Sequence, residues 1–190
     1  MTKIEEILMR HIKFIRSILL IISTVLITSC SNNSAMKPED FKNKEPRLII
    51  EEYLTGNVKA WGVLQNRSGK VTRQFSADLN GSWDGKQLIL KEKFNWDDGE
   101  IQNREWTINK LDENNYEGTA GDVVGKAKGF SYGPAFKFEY VLLVPVKGKE
   151  MKITFDDWIF KQDDKVAINR ATMTKFGFKV AELTVVFVKD

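Results

Sequence analysis

The chain's only histidine is His11 and its only cysteine is Cys30, and both fall in or at the end of a segment that reads as a targeting signal. The domain beyond Cys30 has no imidazole and no second thiol. A Ser-His-Asp triad, a Cys-His pair, a His/Cys zinc site and an intrachain disulfide are therefore excluded, and no metal or other cofactor is expected. What remains for chemistry is a set of charged side chains in apolar surroundings. Arg73 lies between Val71 and Phe75, Glu92 between Leu90 and Phe94, Arg104 two residues before Trp106, Asp157 between Phe155 and Ile159, and Arg170 two residues after Ile168. Each shares the parity of its apolar neighbours, and charges are rarely buried without partners.

This set holds three cations and two anions. The surplus guanidinium suits an acidic ligand such as a fatty-acid carboxylate, because its planar fork binds carboxylate bidentately and stays charged when partly desolvated. The acyl tail would lie against Trp106 and the other aromatic rings of the same face. Arg73, Glu92, Arg104, Trp106, Asp157 and Arg170 are thus the candidate ligand-binding residues. The structural reading of the same charges is cross-strand Arg–Asp/Glu pairing, or an Arg stacked on a tryptophan such as Trp61 to close one barrel end.

Catalytic arrangements fare worse. Asp156 and Asp157 are neighbours on an expected strand and must point to opposite faces, while Asp97-Asp98 and Asp163-Asp164 occupy turns, where Asp is favoured for conformational reasons. An acid/base pair for glycoside hydrolysis is not evident. Ser131 near Lys128 is the one Ser-Lys dyad that can be drawn, on weak grounds.

The elements that must position these residues are strands. From Asn57 onward polar and apolar residues alternate, and the alternation is broken by turn residues at Ser68-Gly69, Asp84-Gly85, Asp98-Gly99, Asp112 to Asn115, Lys147-Gly148 and Asp163-Asp164. Such spacing leaves strands of roughly ten residues joined by tight hairpins. It predicts an all-β, antiparallel up-and-down barrel of about 8–10 strands, which closes its own edges. Val71, Phe75, Ala77 and Leu79 should point inward, as should Leu88, Leu90, Phe94 and Trp96, then Trp106 with Ile108, Phe136 through Leu142 by twos, and Met151, Ile153, Phe155 and Ile159. Thr72, Gln74, Ser76, Asp78, Lys91, Lys93 and Glu105 should face water. The glycines of YEGTAGDVVGKAKG predict a bulged or sharply bent corner. A phosphate-cradling loop is the sharper alternative, but no Gly-Lys-Ser/Thr follows. Residues 48–54 could be a short helix or a first strand.

Ahead of the strands, Lys3, Arg10, Lys13 and Arg16 precede an uncharged, Ile- and Leu-rich run, which is a signal-peptide layout. Ile18 to Ile27 is about half of the ~20 residues a membrane span needs. Ile27-Thr28-Ser29-Cys30 resembles the lipobox of bacterial lipoproteins, in which the cysteine is lipidated and becomes the new N-terminus. Ser31 follows it rather than Asp, which by similarity to lipoprotein sorting implies the outer membrane, facing the periplasm. The expected division is a signal peptide at 1–29, a polar tether at 30–45 and the barrel at 46–190. Removing the signal takes away four basic and two acidic side chains and leaves 25 Lys and Arg against 24 Asp and Glu. With 42% apolar and 29% charged residues in the chain, the remainder suits one globular domain, and no basic block argues for nucleic-acid binding.

The stretches KAWGVLQNRSGKVTRQF, WDDGEIQNREW, YEGTAGDVVGKAKG, TFDDWIFKQDD and INRATMTKFGFKVAE resemble a proteobacterial lipoprotein family of unknown function, over residues 41–189. The resemblance implies a lipocalin-like barrel and, because members are often encoded near cyclopropane-fatty-acid synthase genes, hints at lipids. It carries no established site residues. Two functions from different classes are expected to compete: a lipid-anchored barrel binding an apolar or fatty-acyl ligand, and an assembly lipoprotein with a packed barrel whose outer Trp158 and Phe160 dock an envelope partner. An enzyme acting on a lipid is a third reading, weakened by the missing imidazole.

Overall fold

The computed structural model describes residues 35–146 and 148–190; the expected signal segment and Cys30 lie outside the described residues. Ten strands close into a barrel: β1 (Gly56–Asn66), β2 (Val71–Trp83), β3 (Gln87–Trp96), β4 (Ile101–Lys110), β5 (Asn115–Thr119), β6 (Ala127–Tyr132), β7 (Ala135–Val146), β8 (Lys149–Lys161), β9 (Val166–Lys175) and β10 (Phe178–Lys189). Each pairs antiparallel with its chain neighbours, and β1 with β10 closes the ring. This is the all-β up-and-down barrel that the alternation predicts.

Asp residues fix the turns by accepting backbone N–H groups. Asp84 Oδ1 accepts from Lys86 and Gln87 at 2.8 and 2.7 Å, and Asp163 Oδ1 from Lys165 and Val166 at 2.8 Å. Two hairpins fall outside the turns expected from the sequence: β6–β7 turns through Gly133-Pro134 and β9–β10 through Phe176 and Gly177.

The inward rows of β2, β3, β4, β7 and β8 are as expected from parity, with Phe75, Ala77, Leu79, Leu88, Leu90, Trp106, Ile108, Phe136, Phe138, Tyr140, Leu142, Ile153 and Phe155 all buried. Val71 is not among them; it is exposed at the start of β2, beside a register shift in β1. A ten-stranded ring encloses a wide lumen, and rings fill much of it. Tyr116, Phe136, Phe138, Trp106, Tyr140 and Phe155 form a continuous run with centroids 5.0–5.5 Å apart. Gly118 and Gly129 make room for it. A Cβ on Gly118 would stand 2.5 Å from the Phe138 ring, and one on Gly129 2.9 Å from Phe136.

One end is plugged by the segment 48–54, which is a single helical turn, α1 (Ile50–Tyr53), rather than a strand. Leu48, Ile50 and Leu54 are buried. Glu51 is buried too, accepting hydrogen bonds from Lys110 Nζ and, at 2.9 Å, from Tyr116 Oη. Lys189 Nζ donates to the carbonyls of Glu52, Tyr53 and Thr55 at 2.7–2.9 Å, satisfying groups a short helix leaves open.

The residues before the plug are not a free tether throughout. A 3₁₀ turn at Pro38–Phe41 sets the Phe41 ring against Trp158 and Phe160 at 5.9 and 5.5 Å. Trp158 is thereby only 6% exposed, so the open Trp158–Phe160 surface expected from parity is covered by the chain's own N-terminal segment.

Candidate functional site

A cavity of about 100 Å³ lies inside the barrel. Aromatic and aliphatic side chains of β1–β4, β7, β8 and β10 line most of it, and one patch of its wall is polar: Glu92, Arg104, Asp157 and Asn169. Glu92 and Arg104 are cross-strand neighbours on β3 and β4, and Arg104 Nη1 stands 3.7 Å from Glu92 Oε2. The stronger partner of Arg104 is Asp122, whose carboxylate receives Nε at 3.0–3.1 Å and Nη2 at 2.8 Å. Asp157 accepts from Tyr140 Oη at 2.9 Å and from Asn169 Nδ2.

Asp122 reaches this cluster because of how the glycine-rich stretch folds. β5 and β6 have only five and six residues, and β5 pairs with β4 only over Thr107–Lys110. The rest of β4 is left with no strand on that side. The loop 120–126 stands in for the missing strand: Val124 N–H donates to the Val141 carbonyl at 2.8 Å, and Leu143 N–H to the Asp122 carbonyl at 2.9 Å. The Arg104–Asp122 pair then ties the loop to β4. The sharp corner expected here is present.

Burial pushes the Glu92 carboxyl up to about 7, the nearby Asp157 charge adding to it and Arg104 opposing. Burial likewise raises Asp157 to about 6, against the hydrogen bonds from Asn169 and Tyr140. Glu92 Oε2 is buried without a hydrogen-bond partner, a costly state for a carboxylate. Two carboxyls poised near neutrality beside a guanidinium can accept from, or when protonated donate to, a polar group entering the cavity.

The six sequence candidates do not form one constellation. Glu92, Arg104, Trp106 and Asp157 come together at the cavity. Arg73 sits at the barrel rim, its guanidinium 4.0 Å above the Trp96 ring and bound to Asp98 and Glu100 at 2.8 Å; the end-closing stack is therefore on Trp96, not Trp61. Arg170 does not face the lumen. Its side chain is 68% exposed and lies 3.6 Å from Glu182, because β9 turns small residues inward, Ala167, Asn169 and Ala171, and its larger Ile168 outward. Ile168 joins an outer row with Phe160, Val186 and Trp61 through the pairing of β8, β9, β10 and β1.

The charge balance reverses with these placements. Around the cavity one guanidinium faces three carboxyl groups, Glu92, Asp122 and Asp157, so the surplus is acidic rather than basic. Asp122, Tyr140 and Asn169 are the contributors that the charged strand positions do not reveal. Ser131 is no nucleophile: its hydroxyl donates to the Leu48 carbonyl at 2.9 Å while Lys128 faces solvent. Asp156 does point away from Asp157, lying 3.5 Å from Lys137 on the outer face. Among the described residues no group of three or more His, Cys, Asp or Glu is placed to hold a metal ion. A larger concavity of about 840 Å³ lies across the outside of β1–β4, lined by Lys59, Asp78, Lys91, Lys93 and Glu105, which is a solvated row of mixed charges.

A closed antiparallel barrel with a helical plug at one end and a small polar-walled cavity is a lipocalin-like barrel in fold. The chain belongs to the family described as protein of unknown function (DUF3833), whose signature matches residues 24–189. No curated protein matches it. Among solved structures it is similar to the S-type phycobiliprotein lyase CPES from Guillardia theta, at 10% identity and a TM-score of 0.56, covering 74% of this chain and 90% of that one. It is also similar to a DUF3598 protein of unknown function from Nostoc punctiforme, at 14% identity and a TM-score of 0.58, covering 77% of this chain and 51% of that one. Both likenesses concern the fold.

Proposed function

We propose that this protein is a lipid-anchored, periplasm-facing binding barrel that takes an apolar molecule into its lumen and reads a hydrogen-bond donor on that molecule with Glu92. Glu92 Oε2, buried at the cavity wall without a hydrogen bond and with Arg104 Nη1 no nearer than 3.7 Å, carries the reading, since a donor arriving with a ligand supplies the missing hydrogen bond. The acidic surplus favours a hydroxyl, amide or amine over a fatty-acid carboxylate, which would add a fourth carboxyl to a site with one guanidinium. A cavity of about 100 Å³ holds a head group or a few methylenes. The lipobox-like Ile27-Thr28-Ser29-Cys30 supports the anchor, and the hint from lipid-modifying gene neighbours is consistent with an apolar cargo.

Native mass spectrometry of the protein released from its own membrane tests this. An adduct that is apolar and carries a donor group is expected, and its retention should fall in E92L. Protein that emerges empty overturns the reading. The competing role, a packed assembly barrel with an envelope partner, is favoured by one observation: the cavity is smaller than the roughly 300–1,000 Å³ usual for ligand pockets.

A further inference from the structure

The hairpin joining β9 to β10 is built from Lys175-Phe176-Gly177-Phe178-Lys179. Phe176 is 89% exposed and Phe178 70%. Phe176 also holds φ at 52°, in the left-handed region where Gly or Asn is at ease and a bulky side chain is strained. A turn selected for stability alone would hold Asn here and would not put two phenyl rings into water. Strain and exposure at the same residue point to use.

The surroundings say what kind of use. Val180 and Val71 are exposed nearby, and the β1–β2 loop, which borders Val180, carries exposed Arg67 and Lys70. Lys175 Nζ lies 5.3 Å from the Phe176 ring centroid, and Lys179 is 42% exposed, bound to Glu182. The next hairpin around the rim, β7–β8, adds exposed Val146, Lys149 and Lys152, with the acid Glu150 between the two lysines. Farther round the same rim the β3–β4 hairpin carries the exposed acids Asp97, Asp98 and Glu100, the last two paired to Arg73, so the basic side is the arc of the β1–β2, β9–β10 and β7–β8 hairpins. Apolar tips set in that basic arc match the interfacial layer of an anionic bilayer, where aromatic rings enter the acyl boundary and Lys and Arg meet phosphate.

We propose that this rim, led by Phe176 and Phe178, docks on an anionic phospholipid surface, with the end of the barrel opposite the plug turned toward the lipid. The inference does not depend on what the lumen binds.

The full-length chain carrying F176W, reconstituted into vesicles of phosphatidylethanolamine and brominated phosphatidylglycerol, tests it against the same chain without the substitution. All variants share the same N-terminal segment and are compared on vesicles they occupy equally, so the difference signal reads the tip alone. The added tryptophan should be quenched by the bromolipid and shifted to the blue. Each lysine near an anionic surface is worth about a fivefold change in partitioning, so K175Q/K179Q should lower the ratio of engaged to free tip by roughly 25-fold and abolish the quenching. F176N should melt no lower than the parent, and with F178W as the reporter in its place its tip tryptophan should be quenched less than that of F178W alone. An unquenched, water-exposed tryptophan overturns the proposal. So does quenching that is equal in brominated phosphatidylcholine, which would leave the basic frame without a role, or a marked loss of stability in F176N, which would make the ring structural.

Discussion

The most direct test of the interior is Glu92→Gln followed against pH. Folding raises the Glu92 carboxyl from 4.5 to about 7, so the folded protein holds a proton that the unfolded chain releases. The carboxyl therefore costs nothing well below pH 4.5, and its cost grows until pH passes 7. A tenfold change in proton affinity corresponds to about 1.4 kcal/mol. Integrating between the two values, ionising Glu92 removes roughly 2.5 kcal/mol of stability between about pH 5 and pH 8. The side chain is 12% exposed, so solvent screening takes little from this. The substituted amide keeps the shape of the carboxyl and cannot ionise. Urea unfolding of both proteins at about pH 5 and pH 8 should show the wild type losing roughly 2.5 kcal/mol more than E92Q over that interval, equivalent to about 5–10 °C in melting temperature for a domain of this size. The one histidine in the chain, His11, precedes the barrel in sequence, so no imidazole in the barrel titrates across the same window. Parallel stability curves for the two proteins would show that Glu92 is solvated or fully paired, and with that the reason to place a ligand donor beside it disappears.

Three further outcomes follow from the packing. Arg104→Met strands two carboxyls and should cost about 3–5 kcal/mol, whereas R104M/D122N should cost clearly less than the sum of its parts; additive losses in urea unfolding would mean the pair is not coupled. Gly118→Ala forces a methyl into the Phe138 ring at 2.5 Å and should destabilise by about 1–3 kcal/mol, with F138L restoring part of it; a neutral G118A would show that the ring has room to move. Phe41→Ala uncovers Trp158, so tryptophan emission should shift to the red at unchanged barrel circular dichroism, and an unchanged spectrum would place the covering elsewhere.

Alternation carries the architecture because the barrel buries one face of every strand, so a period of two maps directly onto inside and outside. It fails where that contrast is weak. In β9 the lumen side is Ala167, Asn169 and Ala171 and the outer side holds Ile168, so residue size points the wrong way and assigns Arg170 to the inside. Trp158 is legible as outward but not as covered, because the covering ring belongs to a polar segment with no periodicity of its own. The hairpin at Phe176 is invisible as a turn because a phenylalanine occupies a left-handed position that turn statistics reserve for Gly and Asn.

The site is half legible for a related reason. Glu92, Arg104, Trp106 and Asp157 stand on regular strands, so parity brings them together, while Asp122 enters from a loop that obeys no parity and adds a third carboxyl to the cluster. The basic count fails because Arg73 lies at the rim and Arg170 outside, which leaves Arg104 as the cavity's one cation against Glu92 and Asp157. The two buried carboxyl clusters also separate by their satisfaction. Burial pushes Glu51 up, but hydrogen bonds from Lys110 and Tyr116 and the Lys110 charge more than offset it, and its pKa falls below the ordinary value. That carboxylate is complete and holds the plug. Glu92 is raised, and its Oε2 has no hydrogen bond, only the longer 3.7 Å approach of Arg104 Nη1. The two carboxyls differ in how fully their oxygens are hydrogen-bonded as well as in how deeply they are buried, and under the proposed function that difference separates the one serving the fold from the one facing a ligand.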